Sequence, residues 1–297
     1  MGSFGGHALP GTFFVAFALW YIVQSFRRYF KCRLRNSRFT STVAYPCDCM
    51  CGRLKELPFE AFVKIFFVVV GFSGEIITGF SKGHFVSLGN SQHATMFFFF
   101  GITGVVDVLV FYRAPLPPDI DYVSNILAFM VEWLLFSYHL HGRSELDILL
   151  HTLLIYAVIA NAIAVAMEMR YRHSLLGPLA RSYFLLLQGT WFWQVGFILY
   201  SPVPGATAWK GDDHDELMIA TLFFVWHCAV NFILILLIGA AIACCYRHHA
   251  GDLQEDGVSM KRLIHTGANG QTLVTLNDDS DLDSDVEFQK PLPGNLR

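Results

Sequence analysis

Apolar runs long enough to cross a bilayer recur along the chain. Residues 9–26 (LPGTFFVAFALWYIVQSF), 58–80, 93–112, 120–141, 146–169, 176–200 and 216–245 each come near the ~20 residues that a helix needs to traverse hydrocarbon. This pattern predicts an all-α, polytopic membrane helical bundle of seven transmembrane helices occupying residues 1–246. Two runs are less clean. The second is interrupted by Glu60, Lys64 and Glu75, and the third ends at Asp107 and Arg113, but the stretches VKIFFVVVGFSG and TMFFFFGITGVV leave few soluble alternatives. Only eight residues precede the first run, without a basic leader or a clear cleavage site, so a retained span is expected there and not a signal peptide.

Charge placement orients the bundle. The connection 27–55 holds Arg27, Arg28, Lys31, Arg33, Arg35, Arg38, Arg53 and Lys55, and such clusters stay cytoplasmic. The N-terminus is therefore expected in the lumen and the C-terminus in the cytosol. Arg113, Arg170, Arg172, Arg247, Lys261 and Arg262 then share the cytoplasmic side, against Lys82, Arg143 and Lys210 opposite. Residues 247–297 turn polar and acidic (NDDSDLDSDVEFQKPLPGNLR at the end) and read as a disordered cytosolic tail. Ser280 and Ser284 each have an acidic residue three positions on, which suits an acidophilic kinase; a plain solvated tail is the competing reading.

Composition strengthens the membrane reading. The chain is 54% hydrophobic and only 15% charged, where a soluble domain carries roughly 25%. Its mean hydropathy is +0.44. The net charge of −3 adds nothing, because the charges are segregated by segment. Seven cysteines gathered beside membrane segments do not read as a disulfide framework. The run CDCMC (47–51) fits a thiophilic metal or palmitate, and Cys244 and Cys245 are better acylation candidates. The start of the chain lacks the Ser or Thr at position six that myristoylation wants. Nucleotide-binding loops, nucleophile elbows, HExxH motifs and N-x-[ST] acceptors are all missing.

The candidate chemistry lies in polar residues inside the spans, since an ionisable group in hydrocarbon is costly and usually marks a functional interior. The stretch 131–151 (VEWLLFSYHLHGRSELDILLH) brings Glu132, His139, His141 and His151 into or beside two spans. In the expected topology Glu75, His93, His139, His141, His151 and Gln194 fall toward the non-cytoplasmic ends of spans, with Glu132, Gln188 and His227 deeper. Imidazoles and carboxylates suit a borderline divalent metal such as zinc. The metal-ligand candidates are His93, His139, His141, His151, His227 and Glu75. Glu132 is the candidate catalytic base, and Gln188 and Gln194 are candidate partners that orient ligand histidines. The narrower expectation is one site centred on Glu132, His139, His151 and His227, completed by His93 or His141. Asp107 and Glu168 lie at the opposite end, where pairing with Arg113, Arg170 or Arg172 is expected. Trp191 and Trp193 are read as interfacial anchors.

The stretches GHALPGTFF (6–14), QHATMFFFFGITGVVDVL (92–109), the segment from Glu132 to HxHGR (132–143), LLLQGTWFWQVGF (185–197) and FVWHCAV (224–230) together resemble the transmembrane protein 45 family, a family of unknown function. The resemblance implies a multi-pass protein of Golgi, endosomal and lysosomal membranes with links to innate immunity. It implies no reaction. Three function classes stay open: a membrane metal protein, including a hydrolase with Glu132 as base; a haem electron carrier; and a non-enzymatic trafficking or scaffold protein. The expected partners are membrane lipids, with homo-oligomerisation open and no nucleic acid.

Overall fold

A computed structural model describes residues 3–47, 57–81, 83–140 and 142–266. It contains seven long helices: α1 (Phe4–Leu34), α2 (Phe59–Gly79), α3 (Leu88–Phe111), α4 (Ile120–Ser137), α5 (Glu145–Arg170), α6 (Leu176–Leu199) and α7 (His214–Thr266). A two-residue hairpin, β1 (Phe80–Ser81) with β2 (His84–Phe85), joins α2 to α3. All seven expected spans are helices, with ends shifted by a few residues for most. The first begins earlier, at Phe4, and the fourth stops at Ser137, so that His139 lies in the turn after it. Helical backbone in α7 continues to Thr266, past the expected end of the membrane domain. Residues 267–297, with Ser280 and Ser284, lie outside the described residues, as do Cys49 and Cys51.

Six of the helices are long and apolar enough by themselves to cross a membrane, α7 over His214–Arg247. The exception, α6, is the innermost helix. It packs along α1 on one side and α5 on the other. A helix walled in by protein can carry Arg181, Gln188 and Gln194 without exposing them to lipid.

Two close contacts set this core. Where α1 crosses α6, a side chain on Gly11 would come within 2.9 Å of the Gly189 carbonyl oxygen. One on Gly189 would come within 2.7 Å of the Val15 amide nitrogen. Small residues at such crossings let helix backbones touch, which is the main source of association where lipid removes the hydrophobic drive. Around this crossing lie the buried Ala18, Ile22, Leu185 and Leu186, and toward the other end Leu150, Leu154, Trp191 and Val195.

The helices alternate in direction, so the bundle has two polar ends. The basic end carries the loop after α1. The histidine end gathers the starts of α1, α3, α5 and α7. Serine caps begin three of these helices: Ser3, Ser87 and Ser144 accept from the amides of Gly6, Asn90 and Asp147. His7, His93 and His151 follow their caps by one to two turns. At 1.5 Å rise per residue that places all three roughly 6–10 Å in from the helix starts.

Candidate functional site

Four imidazoles stand side by side at the histidine end. Ring centroids are 5.1 Å apart for His93 and His139, 6.4 Å for His139 and His151, and 5.9 Å for His151 and His7. His7 and His151 are buried, and the other two are partly exposed. Each presents the same nitrogen, Nδ1, to a protein oxygen. His7 meets the Ser3 carbonyl at 3.0 Å, and His93 meets Glu75 Oε1 at 3.3 Å. His139 meets Gln92 Oε1 at 2.6 Å, and His151 meets the Asp147 carbonyl at 2.9 Å and its Oδ1 at 2.7 Å.

These oxygens only accept, so Nδ1–H donates and Nε2 keeps its lone pair. None of the four Nε2 atoms has a hydrogen-bond partner among the described residues. Metal-binding histidines show this pattern: one ring nitrogen is pinned by a carboxylate or carbonyl and the other is left for the ligand. His139 lies outside the helical span, and there burial, helped by nearby His93 and Arg143, pulls its pKa down to about 4. A neutral imidazole at neutral pH follows.

Charge near the array sums to one negative. Glu75 holds Asn90 Nδ2 at 2.8 Å as well as His93. Asp147 accepts twice from Arg143 Nη1, at 3.0 and 2.8 Å. Two carboxylates thus face one guanidinium. Zn–N bonds of about 2.0–2.1 Å in tetrahedral geometry put ring centroids roughly 5 Å apart, which the closest pairs approach. Among the described residues, no three His, Cys, Asp or Glu side chains already converge on one metal position.

The expected site is only partly assembled. His93, His139, His151 and Glu75 come together. His141 lies outside the described residues. Glu132 is buried in α4 and accepts from Gln188 Nε2 at 2.9 and 3.0 Å, touching no histidine among the described residues. Gln188 is therefore the partner of a carboxylate and not of a ligand histidine. His227 on α7 meets Gln194 Oε1 at 3.4 Å and packs edge-on against Trp191, apart from the other four. Gln194 does orient a histidine, but a separate one. His7 went unnoticed in the sequence although it falls in the quoted GHALPGTFF stretch. Its signal was available, because a lumenal N-terminus puts residue 7 at the depth of His139 and His151.

Trp191 is not an interfacial anchor. It is fully buried and donates from Nε1 to the Leu150 carbonyl at 3.0 Å.

The basic end holds a second polar centre, and its pairing differs from expectation. Glu168 binds Arg181 Nε at 2.6 Å, and Asp107 binds Lys64 Nζ at 2.5 Å. Arg172 pairs instead with Asp119. Distance along the chain hid these partners: Lys64 and Asp107 sit on α2 and α3, Glu168 and Arg181 on α5 and α6, and Asp119 and Arg172 in separate turns. The loop after α1 folds back into this centre, with Phe39, Ser41, Val43, Tyr45 and Cys47 buried. Arg181 donates to the carbonyls of Thr42 and Val43, Tyr122 donates to Glu168, and the Tyr45 amide donates to Glu60 Oε2 at 2.8 Å. Glu60 also accepts from Trp20 Nε1 at 2.8 Å. The charges that break the second span are thus solvated by protein.

Comparison with known proteins agrees with this architecture. Residues 119–240, from the start of α4 into α7, match a family of unknown function, DUF716. The chain is 26% identical over 303 residues to transmembrane epididymal protein 1A of Mus musculus, covering 96% of this chain and 95% of the relative. It is 27% identical over 193 residues to transmembrane epididymal protein 1 of Homo sapiens, covering 61% of this chain and 70% of the relative. The chain is a multi-pass membrane protein. Its likeness to the mouse protein runs through the whole bundle, whereas the family match omits α1 to α3 and with them His7 and His93.

Proposed function

We propose that this multi-pass protein binds a divalent transition metal of the zinc class at its histidine end. The observation that carries the reading is the shared orientation of His7, His93, His139 and His151, each with Nδ1 held by an oxygen and Nε2 free. Glu75 and Asp147 supply the negative charge that a cation needs. Binding would close the wider neighbour gaps of the row by about 1 Å and would have to fold the row so that alternate rings also reach the roughly 5 Å spacing of tetrahedral ligation. Glu132 plays no part in this site, so the proposal stops at metal binding and does not extend to hydrolysis.

On the charge pattern, the proposal puts this end of the bundle on the lumenal side. Residence in Golgi, endosomal and lysosomal membranes belongs to the same proposal. It rests on the resemblance to the transmembrane protein 45 family alone, as does the link to innate immunity.

The test is metal stoichiometry of the purified full-length protein after exposure to zinc and removal of excess. Close to one equivalent in the wild type and a sharp loss in His151→Ala are expected. Equal metal in both, or none in the wild type, would overturn the reading and leave a packing role for the array.

A further inference from the structure

The bundle also contains a chamber whose floor adjoins the polar centre of the basic end. It has a volume of about 80 Å³ and lies among α1, α2, α3, α4 and α6. A single water needs only ~10–15 Å³, so the space takes several atoms of a guest. Its walls are rich in phenylalanine, among them Phe13, Phe67, Phe97 and Phe100. Along α1 and α2 the two helices share few contacts, and the stacked rings of Phe13 and Phe67, 4.3 Å apart, bridge the seam. That seam is sparsely packed.

The floor is polar and has unspent hydrogen-bonding capacity. Tyr21 is only 4% exposed, and its hydroxyl bonds to no protein atom among the described residues. Lys64 lines the same space and spends one of its three donors on Asp107 Oδ2. Buried hydroxyl and ammonium groups in a native interior are ordinarily satisfied by protein, water or a ligand, so this floor has hydrogen bonds to offer a guest.

Charge selects the class of that partner. The two cations that line the chamber, Lys64 and Arg181, are already paired with Asp107 and Glu168, and Glu60 lies beside them. An anionic head would compete with Asp107 and Glu168 for cations that are each already neutralised. A cationic head would meet Lys64 and Arg181 directly. An uncharged hydroxyl meets neither objection, accepting from Lys64 and exchanging a hydrogen bond with Tyr21.

The geometry points to a binding site for an uncharged, hydroxyl-headed membrane amphiphile, its head on Tyr21 and Lys64 and its apolar body against the phenylalanines and out through the α1–α2 seam. A sterol and a monoacylglycerol share this chemistry, and the experiment separates them. This site is independent of the metal reading and stands or falls without it.

Full-length protein in nanodiscs is photolabelled with a diazirine sterol, a diazirine monoacylglycerol and a diazirine fatty acid, and the labelled peptides are mapped by mass spectrometry. One uncharged probe should label the chamber segments of α1, α2 and α3, and excess unlabelled lipid should compete it away. The fatty acid should label there at least fivefold less. Tyr21→Phe, which removes a hydroxyl with no protein partner, should cut chamber labelling severalfold while labelling of the outer face of α7 stays constant. Val68→Phe, which fills the chamber from its wall, should do the same. Labelling spread over α7 without competition, preference for the fatty acid, or a chamber unlabelled by any probe would each overturn the proposal.

Discussion

Glu132 and Gln188 form an isolated polar pair in the middle of the bundle. Both are almost completely buried, and Gln188 Nε2 supplies both hydrogen bonds to the carboxylate while Gln188 Oε1 has no partner among the described residues. Truncating one partner strands the other. Gln188→Leu should cost about 1–3 kcal/mol of stability, the penalty for an unsatisfied buried acceptor. The double variant Glu132→Leu/Gln188→Leu should recover most of it, because removing both groups is nearly neutral. Thermal unfolding of the three variants in detergent reads the difference, and a double variant no better than Gln188→Leu would contradict the pairing. At this scale the sequence was informative about depth and silent about direction. Hydropathy places Glu132, His139 and His227 along the membrane normal, but the way each helix turns its face decides who meets whom. His227 faces Trp191 and Gln194 for that reason, and His7, never suspected, joins His151.

Helices α1 and α6 are held by backbone contact at Gly11 and Gly189, which makes that crossing intolerant of even one methyl group. Gly189→Ala should destabilise the bundle by about 1–3 kcal/mol through overpacking. Gly5→Ala should have little effect, since nothing lies within 4 Å of the added carbon. Equal melting temperatures for these two variants would show that the helices do not cross there. The loop after α1 is governed by a different force. Its buried residues are latched by Arg181, itself neutralised by Glu168. Arg181→Met leaves Glu168 buried without its cation, a loss of about 3–5 kcal/mol. It should also free the loop, so that trypsin cleaves at Arg38 in membranes where the wild type resists. Cleavage at the same rate in both would mean that the loop does not depend on this latch. The spans themselves were legible because apolar runs of about 20 residues have few other uses. The fold-back of 39–47 was not, because a short stretch of five apolar residues broken by threonines, a serine and a proline, next to the arginines at 33–38, resembles any solvated connection.

Across the described residues, ion pairs gather at two ends with the Glu132–Gln188 pair between them and an aromatic chamber among α1, α2, α3, α4 and α6, and α7 turns Val225, Trp226, Val230 and Leu237 outward. The basic loop predicts that the end bearing α1's C-terminus faces the cytosol. In cells whose plasma membrane alone is permeabilised, a cysteine-reactive, membrane-impermeant reagent should label a cysteine placed at Asn36 and not one placed at Gly205. The opposite result would invert the topology. The metal proposal makes its sharpest demand on the pair His7 and His227. The first was unforeseen in the sequence and lies in the array, while the second was an expected ligand and lies outside it. Zinc stoichiometry should therefore fall sharply in His7→Ala and stay at the wild-type value in His227→Ala. Loss of metal in His227→Ala with retention in His7→Ala would contradict the account.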